Sequence, residues 1–177
     1  MQKDWDEIRK LAVEYAADNI NNRSMNCSES VFEALIRSGA ISGQLDLSAV
    51  SYATGFGGGI GGAGFTCGAL AAGILANGIA HGRKAPASTT NRMELKETLY
   101  KRYHNLAKDF VKVAGSGLCG EIIDKFPDGY HDPQTRPNCI RIVTEAAGIA
   151  VDYMKLSADE CAALEYDPGT VGIKNWI

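Results

Sequence analysis

The chain has 177 residues, of which 45% are hydrophobic and 22% charged, with a formal net charge of −3. That length suits one sizeable domain burying roughly 70% of its unfolded surface, and the slightly acidic balance leaves no electrostatic footprint for nucleic acid. The opening Met1-Gln2-Lys3-Asp4-Trp5-Asp6-Glu7 is charged where a secretory signal needs its apolar core. A cytoplasmic protein is therefore expected, in which five cysteines serve as reduced, metal-binding or redox thiols rather than a static disulfide framework.

Taken in chain order, the segments read as helices. Trp5, Ile8, Leu11, Ala12, Tyr15 and Ala16 recur at helical spacing and predict an amphipathic helix over 4–20. A second starts at Asn26, with Glu29 completing a capping box and Gly39 as its stop. Asp46 or Ser48 opens a short helix to Ala53. The stretch Leu47–Ala80 carries no charge, and its apolar helical part, Phe65–Ala80, is shorter than the roughly 20 residues of a membrane span. It predicts a central helix buried by its neighbours, with no membrane partner. Residues 90–114 form a long helix with the stripe Leu95, Leu99, Tyr103, Leu106, Phe110 and Val113. Pro133 and Pro137 mark a loop, Cys139 opens another helix, and Ser157 caps a last one reaching Leu164. The fold class expected is all-α: one helical bundle over 1–177, with a glycine-rich loop leading into a central buried helix.

Three cysteines share one local setting. Cys27 follows Asn26, Cys67 follows Thr66 and Cys139 follows Asn138. Asn and Thr are good N-cap residues, so each cysteine is expected at a first helical position, where the dipole favours a thiolate and lowers the thiol pKa. Cys119, in Gly117-Leu118-Cys119-Gly120, makes a fourth member of a shared site. Cys161 sits between Glu160 and Ala162, an acidic setting that disfavours thiolate, and reads as a structural or surface thiol.

Between Gly55 and Gly64, seven of ten residues are glycine. Gly57, Gly59 and Gly62 satisfy GxGxxG, but no strand precedes them and no acidic residue follows before Glu94, so a dinucleotide site is not supported. The preferred use is support: Gly57, Gly58, Gly59, Gly61 and Gly62 wrap whatever the cysteines hold and offer N–H donors to sulfur.

The run Gly57-Gly58-Gly59-Ile60-Gly61-Gly62, then Cys67-Gly68-Ala69-Leu70-Ala71-Ala72-Gly73, resembles the signature of the C_GCAxxG_C_C family of redox-active proteins. Asn26-Cys27-Ser28-Glu29-Ser30-Val31 resembles the family's leading cysteine segment, and Cys119 and Cys139 its two trailing cysteines. The likeness spans about residues 24–152 and implies redox activity or metal binding. The family also resembles the N-terminal part of split-Soret cytochrome c, a dimeric haem protein. With the long charge-free stretch, this implies a homodimer. There is no Cys-x-x-Cys-His, so c-type haem is not expected.

Four thiolates suit an all-cysteine iron–sulfur cluster, with zinc as the alternative. Their separations of 40, 52 and 20 residues contain no Cys-x-x-Cys pair, so such a site must be assembled from distant helix ends. A metal-free dithiol/disulfide protein and a zinc-stabilised interaction protein are the competing readings. His131, in a Gly/Pro loop near Cys139, is a candidate additional ligand, while His81 reads as a helix cap and His104 as partly exposed. Arg92, Lys96, Lys101, Arg102, Lys108 and Lys112 form a solvated face of the long helix that could meet an acidic redox partner. A partner protein or a small electron carrier would be the exchange partner, for electron transfer or redox sensing. No catalytic triad or carboxylate pair follows from spacing, and enzymatic activity is left open.

Overall fold

The computed structural model describes residues 3–22, 24–41, 43, 45–86 and 95–167. Among the described residues, seven α-helices of five residues or more carry the fold: α1 (Trp5–Asn21), α2 (Cys27–Arg37), α3 (Gly68–His81), α4 (Lys101–Ala114), α5 (Cys119–Ile123), α6 (Thr135–Met154) and α7 (Ala158–Ala162), and a short helical turn, Gly57–Ile60, lies in the glycine loop. The described residues contain no strand, only an isolated antiparallel bridge between Thr66 and Leu118. The protein is all-α.

Side-chain caps account for the starts of α1, α2 and α7. Asp4 caps α1 by accepting from the Glu7 amide at 3.1 Å. Ser157 and Glu160 form a capping box at α7. Asp46 caps a 3₁₀ turn over Leu47–Tyr52 where a short helix to Ala53 is expected. The last helix stops at Ala162 instead of Leu164.

The core lies where α1, α2, α3 and α6 pack on one another, with α4 laid along α6 and α3. Phe32, Leu35, Phe110, Val143, Val151 and Met154 are buried in it, each worth about 1.5–3 kcal/mol of burial. No residue of α3 is exposed. Its small residues let α6 come close: a methyl group on Gly73 would stand 3.4 Å from Ala150 Cβ. Buried Asn77 ties the same pair by donating to the Gly73 and Ala150 carbonyls, both at 3.0 Å. Among the described residues, no helix is long and apolar enough to cross a membrane.

Three expectations are corrected. The long helix is not one regular element: Leu95–Tyr100 is a wider π turn and regular α-helix begins at Lys101. Positions 90–94 of that expectation lie outside the described residues. Arg102 is not on a solvated face. It is 1% exposed, and its guanidinium donates to the carbonyls of Tyr153 and Leu156 at the end of α6. There it satisfies acceptors that α6 leaves open. The third correction concerns α6, which starts four residues before Cys139, at Thr135. Pro137 therefore sits in its first turn, where a missing N–H costs no helical bond.

Candidate functional site: four cysteines at one pole

The end of α1, the starts of α2, α5 and α6, and the glycine loop surround a cavity of about 1020 Å³. Cys27, Cys119 and Cys139 line it, together with Thr54, Asp124, Tyr130 and Arg136. Cys67 lies close by without lining the cavity and is 7% exposed.

Each cysteine is placed by its own local structure. Cys27 is the first residue of α2, directly after a full capping box. Asn26 Oδ1 accepts from the Ser28 and Glu29 amides at 3.0 Å, and the Asn26 amide donates to Glu29 Oε2 at 2.9 Å. The same box reaches across to the preceding turn of the glycine loop. Asn26 Nδ2 donates to Thr54 O at 3.1 Å, Ser28 Oγ to Ala53 O at 2.8 Å, and Thr54 Oγ1 to Glu29 Oε1 at 2.7 Å. Asn26→Ala removes the cap and the Asn26–Thr54 arm of this crosslink together. It is expected to lower stability by about 1–2 kcal/mol in chemical denaturation, and an unchanged midpoint would refute the crosslinking role.

Cys67 is not the first residue of its helix, as the Thr66-Cys67 order suggests. It is itself the N-cap residue of α3. Thr66 is drawn away by its bridge to Leu118, and the Cys67 amide donates to Gly117 O at 2.8 Å. Cys119 opens α5, anchored by its amide donating to Phe65 O at 2.7 Å. Cys139 lies in the second turn of α6, so Asn138 is no cap; Asn138 Oδ1 instead accepts from Arg141 at 2.9 Å. Arg136 Nη2 donates to Ile20 O at 2.7 Å and ties the start of α6 to the end of α1 across the cavity.

The glycine loop contributes shape. Positions 58 to 62 all have positive φ, including Ile60 at +65°, a rare backbone for a β-branched residue. The amides of Gly61, Gly62, Gly64 and Phe65 close turns within the loop, onto the carbonyls of Gly57, Gly58 and Gly59. Two glycines stand against cysteines. A methyl group on Gly59 would lie 2.7 Å from Cys119 Cβ, and one on Gly68 would lie 2.7 Å from Cys27 Sγ.

The electrostatics reverse the expectation of lowered thiol pKa values. Burial pushes Cys67 up to about 12, and a charge on Cys27 would push further; the amides of Ala69 and Leu70 at the start of α3 oppose this without offsetting it. Cys139 is raised to about 11 by burial, then by Cys27 and Cys119. Burial, then Cys27, also raises Cys119. Desolvation outweighs the helix-start field. Because Cys27 acts on all three, the four thiols form one electrostatic cluster.

His131 is exposed, at the end of a 3₁₀ turn, and is not among the residues lining the cavity. His81 ends α3, and its Nε2 meets Met154 O at 2.8 Å. Cys161 is fully buried. Its thiol is raised first by burial and then by Glu160, against the lowering effect of Arg102. Thr54, Asp124, Tyr130 and Arg136 were not signalled by any motif; only the folded chain brings them to the cavity.

The family model described as "Putative redox-active protein (C_GCAxxG_C_C)" matches residues 25–153, most of the chain and all four clustered cysteines. The chain belongs to this family. An uncharacterized protein of Archaeoglobus fulgidus is 29% identical to it over 136 residues, which cover 76% of this chain and 87% of the relative. No solved structure matches. In this member of the C_GCAxxG_C_C family, the matched region runs from the α2 cap to the end of α6 and so contains the cavity walls contributed by α2, the glycine loop, α5 and α6.

Proposed function

We propose that Cys27, Cys67, Cys119 and Cys139 together bind an iron–sulfur cluster that serves electron transfer or redox sensing. The observation that carries this reading is the convergence of four thiols from four separate segments at one pole, three of them lining the cavity and Cys67 close by, with bare glycines at Gly59 and Gly68 where a Cβ would crowd the cysteines. The donor set is chemically suited to iron and sulfide. Among the described residues, no three His, Cys, Asp or Glu side chains stand ready-placed around a metal position. Binding would therefore draw the sulfurs inward by side-chain rotation. A bound cluster supplies one-electron exchange with a partner protein or a small electron carrier. The chain supplies the four thiols, the α3 amides of Ala69 and Leu70 near Cys67, and the walls that limit water. Zinc would satisfy the same donors without redox change.

Protein made and handled without oxygen is expected to show a broad visible absorption that bleaches on reduction, with iron and acid-labile sulfide present. Zinc without iron would leave a structural site. A colourless preparation lacking iron, zinc and sulfide would remove the metal reading.

One observation favours a second, metal-free reading. The Cys27 sulfur stands over Gly68, the neighbour of Cys67. In that case Cys27 and Cys67 form a disulfide, releasing two electrons and two protons to a disulfide of a small thiol or partner protein, which leaves as two thiols. Counting free thiols before and after mild oxidation distinguishes it.

A further inference from the structure

We infer that Gly68 is a positioning residue for Cys27: the bare Cα at the start of α3 lets the Cys27 sulfur come up beside Cys67 and sets how closely these two thiols approach. Its bearing on a shared centre rests on the four-cysteine reading; the packing itself belongs to the metal-free chain.

Backbone conformation does not explain a glycine here. Gly68 is the first residue of α3 and is not among the residues of positive φ. Glycine is a poor helix former, so alanine would be the better choice on propensity alone. What excludes alanine is contact: a methyl group would stand 2.7 Å from Cys27 Sγ and 2.7 Å from the Phe56 carbonyl oxygen. Real carbon atoms do not approach so closely, so one of these neighbours must move. The Phe56 carbonyl is part of the backbone, whereas the Cys27 sulfur swings about a single bond. The sulfur is the softer neighbour, and it would turn off the α3 start and away from Cys67.

Gly59, Gly73 and Gly55 do not give the same reasoning. Gly59 would crowd Cys119 Cβ, but its φ of +68° and the Phe65 backbone at 2.7 Å already require glycine. Gly73 meets Ala150 at 3.4 Å, an ordinary contact. Gly55 has nothing within 4 Å and serves as the control.

The test uses metal-free, reduced full-length protein. Mild oxidation is followed by mass spectrometry to measure the rate of Cys27–Cys67 cross-linking. Gly68→Ala is expected to slow it at least tenfold, and Gly55→Ala to leave it unchanged. Thermal melting of wild type, Gly68→Ala, Cys27→Ala and the double variant forms a cycle. Gly68→Ala should lower the midpoint by several degrees, and at least half of that shift should vanish once Cys27 is truncated. If Gly68→Ala alone fails to fold, recovery of folding in the double variant supports the role, and failure of both overturns it. An unchanged cross-linking rate, additive midpoint shifts, or no Cys27–Cys67 cross-link in wild type also overturns it. Absence of bound iron in the wild type would remove the cluster reading, yet the cross-linking rates and the melting cycle would still decide the role of Gly68.

Discussion

Replacing any one of Cys27, Cys67, Cys119 or Cys139 by serine is expected to abolish the visible absorption and bound iron of anaerobically prepared protein, while Cys161→Ala keeps both. Serine nearly preserves the side-chain volume but is a poor ligand for soft metals. One missing ligand disables the unit, so double variants should lose no more than single ones. Cys161 is the internal control. It is fully buried, in α7, and Arg102 and Glu160 are the charges that act on it. Truncating it removes one buried sulfur, a stability cost of about 1–2 kcal/mol by analogy with small core truncations. That cost should appear in melting without touching the metal. Equal loss of iron at all five positions would show that general destabilisation, not ligation, is being read. Graded, independent losses at the four positions would point to scattered structural thiols.

What could be read from sequence was what depends on near neighbours. Asn26 and Glu29 lie three residues apart and cap each other in the structure as their spacing predicts. Asp46 and Ser157 likewise cap the elements that follow them. The misreadings come from contacts between residues far apart in the chain. Thr66 looks like a cap, but its bridge to Leu118 passes the cap position to Cys67. Asn138 looks like a cap because Pro137 reads as loop, yet a first-turn proline is compatible with α6 beginning at Thr135. Arg102 fits a basic stripe by spacing, and only the return of α6 beside α4 supplies the carbonyls that bury it. The lowered thiol pKa values expected at helix starts are reversed for the same reason. The dipole of a helix start is a local property, whereas burial and the proximity of other thiols are set by the whole fold.

That reversal has a measurable consequence in the metal-free protein. With Cys67 held at about 12 against an ordinary thiol value of 9.0, its thiolate fraction near pH 8 is lowered about a thousandfold. Cys139, at about 11, is lowered about a hundredfold. Because alkylation proceeds through the thiolate, Cys67 and Cys139 in native protein are expected to react with iodoacetamide much more slowly than a free cysteine, the lost thiolate fraction being offset only in part by the greater nucleophilicity of a high-pKa thiolate. Their rates should still be climbing at pH 10, where a free thiol has levelled off. A plateau near pH 9 at Cys67 would contradict the burial argument. Stability follows the same proton. The unfolded thiol ionises near 9 while the native one stays neutral, so the unfolded state binds fewer protons between 9 and 12. This contribution is fully present below pH 9 and is lost as pH rises towards 12, so the denaturation midpoint should fall across that window. Metal uptake would have the opposite pH dependence. Ligation requires thiolates, so binding releases protons that these buried thiols hold tightly near neutral pH, and loading should strengthen steeply as pH rises from 6 to 8. In the metal-free protein, protons therefore let four thiols cluster at one pole without mutual repulsion.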